Sequence, residues 1–179
     1  MTMLTYIIQN FKKRVYRNRN RRANQQISFA ERLTAARVIV VCLPEEKEHF
    51  NAFIGPLAKM TQIFPKARIT LVHHKKFQIP KAYRSKFTLI EWDEQDLDRY
   101  GVPRSSLLQK IYDRPYDVAI DLSPDRHFAN MAIAQSSKAP IKVCLANPER
   151  ESLYNFILNP RADQDPGRII NSLLAYLNP

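Results

Sequence analysis

Two short charged clusters in this sequence hold side chains able to move a proton. Glu45, Glu46, Lys47, Glu48 and His49 follow the apolar run Arg37 to Leu43, and Ser123, Asp125, Arg126 and His127 follow the run Tyr116 to Leu122. A carboxylate such as Glu48 or Asp121 can act as a base on a hydroxyl, with a nearby imidazole, His49 or His127, adjusting its proton affinity. Glu45, Lys47, His49, Ser123, Asp125, Arg126 and His127 would then line a ligand crevice. The plainer expectation for charged residues in such loops is that they stay in water at helix ends.

Other clusters point away from metals and nucleotides. His73 and His74 are adjacent in an extended run, so their side chains face opposite ways and do not suit one metal ion. Asp93, Glu94, Asp96 and Asp98 resemble a calcium loop that lacks its glycine and closing glutamate, and they read as a solvated acidic loop able to pair with the basic N-terminal arm. With only Gly55, Gly101 and Gly167 in the chain, neither a glycine-rich dinucleotide turn nor a Walker loop can be written. No nucleophile elbow is present. No cofactor and no metal are expected. Cys42 and Cys144 lie in apolar runs, as buried thiols in a reducing compartment do.

The charge is unevenly placed. The 179 residues carry a formal net charge of +11, and 45% of them are hydrophobic, as in a globular domain. Seven bases, Lys12, Lys13, Arg14, Arg17, Arg19, Arg21 and Arg22, fall within eleven residues. Upstream, Leu4, Ile7, Ile8, Phe11 and Val15 form one helical stripe, so Met1 to Asn24 reads as an amphipathic helix that ends in positive charge. Such an arm can contact the phosphates of a nucleic acid, lie on anionic lipid, dock in a protein groove, or pack on its own domain. Its apolar residues precede its charges, unlike an export signal, and no stretch is apolar enough to span a membrane. Cytoplasmic residence follows, peripheral on the inner membrane face if the arm meets lipid.

The crevice needs elements to hold it. Strands are expected at Arg37–Leu43, Ala67–His73, Lys86–Glu91, Tyr116–Leu122 and Ile141–Leu145, with a further short apolar segment, Tyr154–Leu158, suited to a sheet edge. Helices are expected over 28–36, over 50–64 with a break at Gly55-Pro56, over 105–112, from Ser123-Pro124 to about 136, and from Asp165-Pro166 onward. Alternating strands and helices imply a three-layer α/β fold with a doubly wound, mostly parallel sheet of about five strands. The expected division is an arm over residues 1–36 and a Rossmann-like domain over 37–179.

The runs RVIVVCLPEEKEHF, FPKARITLV and YDVAIDLSPDRHFANMAIAQSSKAPIKVCL resemble the N-terminal half of the bacterial heptosyltransferase family, which builds lipopolysaccharide core. Short bacterial single-domain proteins of similar layout look alike over the whole chain. The match is carried by Tyr116 to Leu122 and by Ser137-Lys138-Ala139-Pro140. Glu48 falls where that family has its catalytic acidic residue, whereas Lys47 stands in place of a glycine and Pro44-Glu45-Glu46 in place of small residues. The family's members hold a nucleotide sugar in a second domain, for which this chain is too short. The resemblance therefore implies a non-catalytic half-domain, a binding or adaptor module whose basic helix meets an anionic surface or partner. The alternative is a minimal glycosyltransferase-like enzyme acting on a sugar or cell-envelope precursor and completed by a second subunit, such as a homodimer partner.

Overall fold

A computed structural model of the chain describes residues 29–125, 127–160 and 165–177. The expected helix over residues 1–24 lies outside them. The described elements are α1 (Phe29–Thr34), β1 (Val38–Cys42), α2 (Lys47–Leu57), α3 (Met60–Ile63), β2 (Arg68–His74), α4 (Lys81–Arg84) and β3 (Thr88–Trp92). They continue with α5 (Ser105–Tyr112), β4 (Val118–Asp121), α6 (Phe128–Ser136), β5 (Ile141–Leu145), β6 (Phe156–Leu158) and α7 (Pro166–Leu177).

All six strands are parallel, in the order β3-β2-β1-β4-β5-β6. The expected sheet of about five strands gains β6, the apolar segment foreseen as an edge. β1, β4 and β5 are central, and nearly every side chain on them is buried whichever way it points. That explains their unbroken, β-branched runs, since a parallel sheet is covered on both faces. One face packs against Leu33 of α1, Phe50, Phe53 and Leu57 of α2, and Ile170, Leu173 and Leu177 of α7. The other packs against Leu107 and Ile111 of α5 and Met131, Ile133 and Ala134 of α6.

The helix ends follow local chemistry. Pro56 sits in the last turn of α2, and Ala58 and Lys59 donate to the carbonyls of Gly55 and Pro56, so the expected break falls just after the proline. Asp165 caps α7 by accepting the N–H of Arg168 at 3.1 Å. The five buried apolar side chains of α7 each contribute about 1.5–3 kcal/mol as an upper range.

The start of α6 differs from the expected one. Ser123-Pro124 does not open a helix; α6 starts at Phe128, with His127 as its cap. The Asp121 carboxylate accepts the Ser123 N–H at 3.0 Å, and Arg150 takes the Ser123 carbonyl, so residues 122–125 are held as a loop. Among the described residues no helix is long and apolar enough to cross a membrane.

Candidate functional site

With β1 and β4 adjacent, the crossovers leave in opposite directions from that pair, and the loops after the two strands face each other across a switch point. The carboxylate that meets His127 there is Glu45: His127 Nε2 lies 2.6 Å from Glu45 Oε1, off the line of a good hydrogen bond. His127 Nδ1 accepts the Asn130 N–H at 3.3 Å, which leaves the ring proton on Nε2, toward the carboxylate. Lys76, beyond the end of β2, lies 3.6 Å from Glu45 Oε2. Burial would raise the Glu45 pKa, but His127, Lys76 and His74 together outweigh it and hold the carboxyl below its ordinary value.

A second imidazole repeats the arrangement one strand away. His74 Nδ1 accepts the Lys76 N–H at 3.0 Å, and its Nε2 donates to Glu94 Oε1 at 3.1 Å. The Trp92 ring lies between the two histidines, 4.8 Å from His74 and 5.8 Å from His127 between centroids. His73 faces the other way, with its ring 6.4 Å from that of Phe50. The two adjacent histidines thus serve opposite layers, as their alternation requires.

Asp121 has a different environment. Its side chain and that of Arg150 are both fully buried, and Arg150 Nη1 donates to Asp121 Oδ2 at 3.3 Å. Tyr154 Oη donates to the same oxygen at 2.7 Å, while Oδ1 holds the Ser123 N–H. Arg150 also donates to the carbonyls of Leu145 at 2.9 Å, Asp125 at 3.3 Å, and Ser123. Asn130 Nδ2 donates to Leu43 O and Ser123 Oγ, both at 2.8 Å, tying the end of β1 to the loop after β4. Burial, with Asp121 as neighbour and acceptor, pushes the Tyr154 hydroxyl well above its ordinary pKa. Its proton stays in place.

The register puts Cys42 and Cys144 level with Asp121, one on each side. Two strand spacings separate the thiols, roughly 9–10 Å, too far for a disulfide. Both are free and buried; burial raises the Cys42 thiol well above its ordinary value and Cys144 to about 12.

The remaining sequence candidates are spread out. Glu48 and Lys47 are exposed in the first turn of α2, and His49, half-buried, packs edge-on to Phe53 at 5.8 Å. Asp125 is exposed, and Ser123 is buried in the Asn130 linkage. Arg126 and the arm bases Lys12 to Arg22 lie outside the described residues. The acidic loop is knitted internally: Asp93 accepts from Gln95 N and Asp96 from Asp93 N, both at 3.0 Å, and Asp98 accepts from Tyr100 N at 2.8 Å. Lys75 meets Asp93 at 2.9 Å. Sequence reasoning passed over Arg150, Tyr154, Asn130, Lys76 and Trp92 as parts of the site. Arg150, between Glu149 and Glu151, carries no local sign of burial.

A family model described as a family of unknown function, DUF6913, matches residues 6–179. The chain belongs to this family. Its match takes in most of the basic arm as well as the sheet. No curated protein matches. Among solved structures, a glycosyl transferase family 9 protein from Veillonella parvula superposes with a TM-score of 0.63 at 19% identity, over 79% of this chain and 41% of that one. The heptosyltransferase WaaC from E. coli, solved with ADP, gives 0.62 at 13% identity, over 79% of this chain and 48% of that one. The E. coli ADP-heptose lipopolysaccharide heptosyltransferase II gives 0.55 at 14%, over 74% and 39%. At these identities the likeness is one of fold alone, a Rossmann-like α/β domain. The chain spans less than half the length of these relatives.

Proposed function

We propose that this chain is a non-catalytic, heptosyltransferase-like half-domain that acts as a binding or adaptor module, with its basic N-terminal segment contacting an anionic surface or partner. The observation that carries this reading is the engagement of Asp121. Both of its oxygens are taken, by Ser123 on one side and by Arg150 and Tyr154 on the other, and the side chain is sealed from solvent. A carboxylate so held shapes the strand-end loops and does not act as a base on an incoming hydroxyl. Glu48, exposed on α2, has no imidazole partner among the contacts of the described residues. The test is removal of residues 1–24: the core stays folded, and sedimentation with anionic vesicles or RNA at low salt is lost. Unchanged sedimentation overturns the arm's role.

One observation favours a second reading. Glu45 and His127 form a half-buried carboxylate–imidazole contact at the switch point, where open α/β sheets bind ligands. A minimal glycosyltransferase-like enzyme, completed by a second subunit, would place its chemistry there. Calorimetric titration with nucleotide sugars separates the two: micromolar binding favours the enzyme, and silence at millimolar concentration favours the module.

A further inference from the structure

The segment from His49 to Ile90 contains eight Lys and Arg residues and no Asp or Glu. The fold places five of these charges at opposite ends of the strands. Lys75 and Lys76, at the carboxyl end of β2, are met by Asp93 and Glu45. Lys66, Arg68 and Lys86 are exposed at the opposite rim, where the parallel strands begin. Arg68 N donates to Arg37 O at 2.7 Å, which sets exposed Arg37 beside it. Thr70 pairs with Thr88, so Lys86, two residues before Thr88, comes level with Arg68. Lys138, at φ 54, is exposed just before β5. Asp117, before β4, is occupied by the N–H groups of Arg37 and Val38 at 2.7 and 2.9 Å, and Asp113, after α5, by Gln109.

The arm joins the core at this same rim. α1 is six residues long, about 9 Å, and ends at Thr34, three residues before Arg37. The seven bases of residues 12–22, which precede α1 in the sequence, carry the same sign as this exposed row. Tyr112, at the end of α5 before β4, is an exposed aromatic at 53% exposure, and Lys138 Nζ lies 3.7 Å from its ring centroid. A cation over one face of the ring leaves only the other for a nucleobase to stack on. An amphipathic Tyr beside Lys instead suits the headgroup level of a bilayer. The arm's Leu4, Ile7, Ile8 and Phe11 add an apolar stripe that a phosphate backbone has no use for.

We infer that the strand-start rim, through Arg37, Lys66, Arg68 and Lys86, is the second half of a face that seats the protein on an anionic phospholipid bilayer. This rests on the reading of the arm as anion-seeking and extends it to the folded core. The opposite rim, where Glu45, Glu46, Glu48, Asp93 and Glu94 gather, would then point away from the lipid.

The experiment uses the full chain in flotation with phosphatidylcholine vesicles with and without phosphatidylglycerol, and in parallel with a single-stranded RNA, at low salt. One variant combines Lys66→Gln, Arg68→Gln and Lys86→Gln; a second combines Arg17→Gln, Arg19→Gln, Arg21→Gln and Arg22→Gln; Arg99→Gln, exposed in the loop that follows β3, is the control. All three rim positions are exposed, and circular dichroism checks the fold. The expected result is binding that needs phosphatidylglycerol, weakened about tenfold or more by the rim variant and unchanged by the control. Loss with the arm variant but wild-type binding with the rim variant overturns the rim and leaves the arm reading intact. Binding of the wild type to neither vesicles nor RNA overturns both. Binding to RNA but not to vesicles overturns the lipid assignment.

Discussion

Arg150, on the loop after β5, reaches Asp121 at the end of β4 with its Nη1 3.3 Å from Oδ2 and neither side chain exposed. The guanidinium also holds three backbone carbonyls, so one side chain joins two strand-end loops. Two charges taken out of water this way add little net stability, but removing one strands the other.

Arg150→Met is therefore expected to cost about 3–5 kcal/mol in urea unfolding, because it leaves Asp121 buried and unpaired apart from Tyr154 and Ser123. Asp121→Asn added to Arg150→Met should recover a large part of that loss. Equal stabilities of the single and double variants would show that the charge pair is not what the loops depend on.

His127→Ala removes both a helix cap and the partner of Glu45. The cap costs about 0.5–2 kcal/mol. The carboxyl, no longer held down by the imidazole, should titrate at higher pH, as carbon-detected NMR of Glu45 would record. The sign for stability follows from the lowered folded value: Glu45 stabilises the fold above the ordinary carboxyl value of 4.5, and this is lost as pH falls through the folded pKa. The variant should have a shallower acid limb. An unmoved Glu45 titration would refute the contact.

His73 is 1% exposed, and burial lowers its pKa from 6.5 despite the carbonyl of His74 and the carboxylate of Glu91. The unfolded chain takes up a proton at higher pH than the folded one, so this group's contribution is complete above 6.5 and declines as pH falls from there toward the folded value. Denaturation midpoints measured from pH 7.5 to pH 5.5 should drop more for the wild type than for His73→Gln. Parallel curves would contradict it.

Cys42 and Cys144 combine full burial with raised pKa values, so thiolate is scarce at neutral pH. Iodoacetamide should leave both unmodified in the native protein and label both in denaturant. Labelling of either in native buffer, counted by mass spectrometry, would require an opening of the strand core that these contacts oppose.

Much of the scaffold was legible beforehand. α5 and β5 fall at their expected bounds, and β1, β2 and β4 lie within a residue or two of theirs, because unbroken β-branched runs and helical spacing are local properties. The start of α6 was misplaced because Ser123-Pro124 is a good local helix opening; what overrides it is Arg150, 27 residues downstream, on the Ser123 carbonyl. The crevice was half legible. Glu45 and His127 stood among its expected residues, but their contact spans the two loops at the switch point, and no spacing within either loop encodes it.

By itself the chain's order of residues determined the α/β layering, the buried thiols and the clustering of charge at residues 12–22, since periodicity, burial tendency and net charge are read over short windows. Only the folded arrangement decided that Asp121 answers to Arg150 and Tyr154, that Glu45 is the carboxylate at His127, and that Lys75 and Lys76 lie at one end of the strands and Lys66, Arg68 and Lys86 at the other. Strand order and parallel direction set those pairings, and both arise from how distant segments pack.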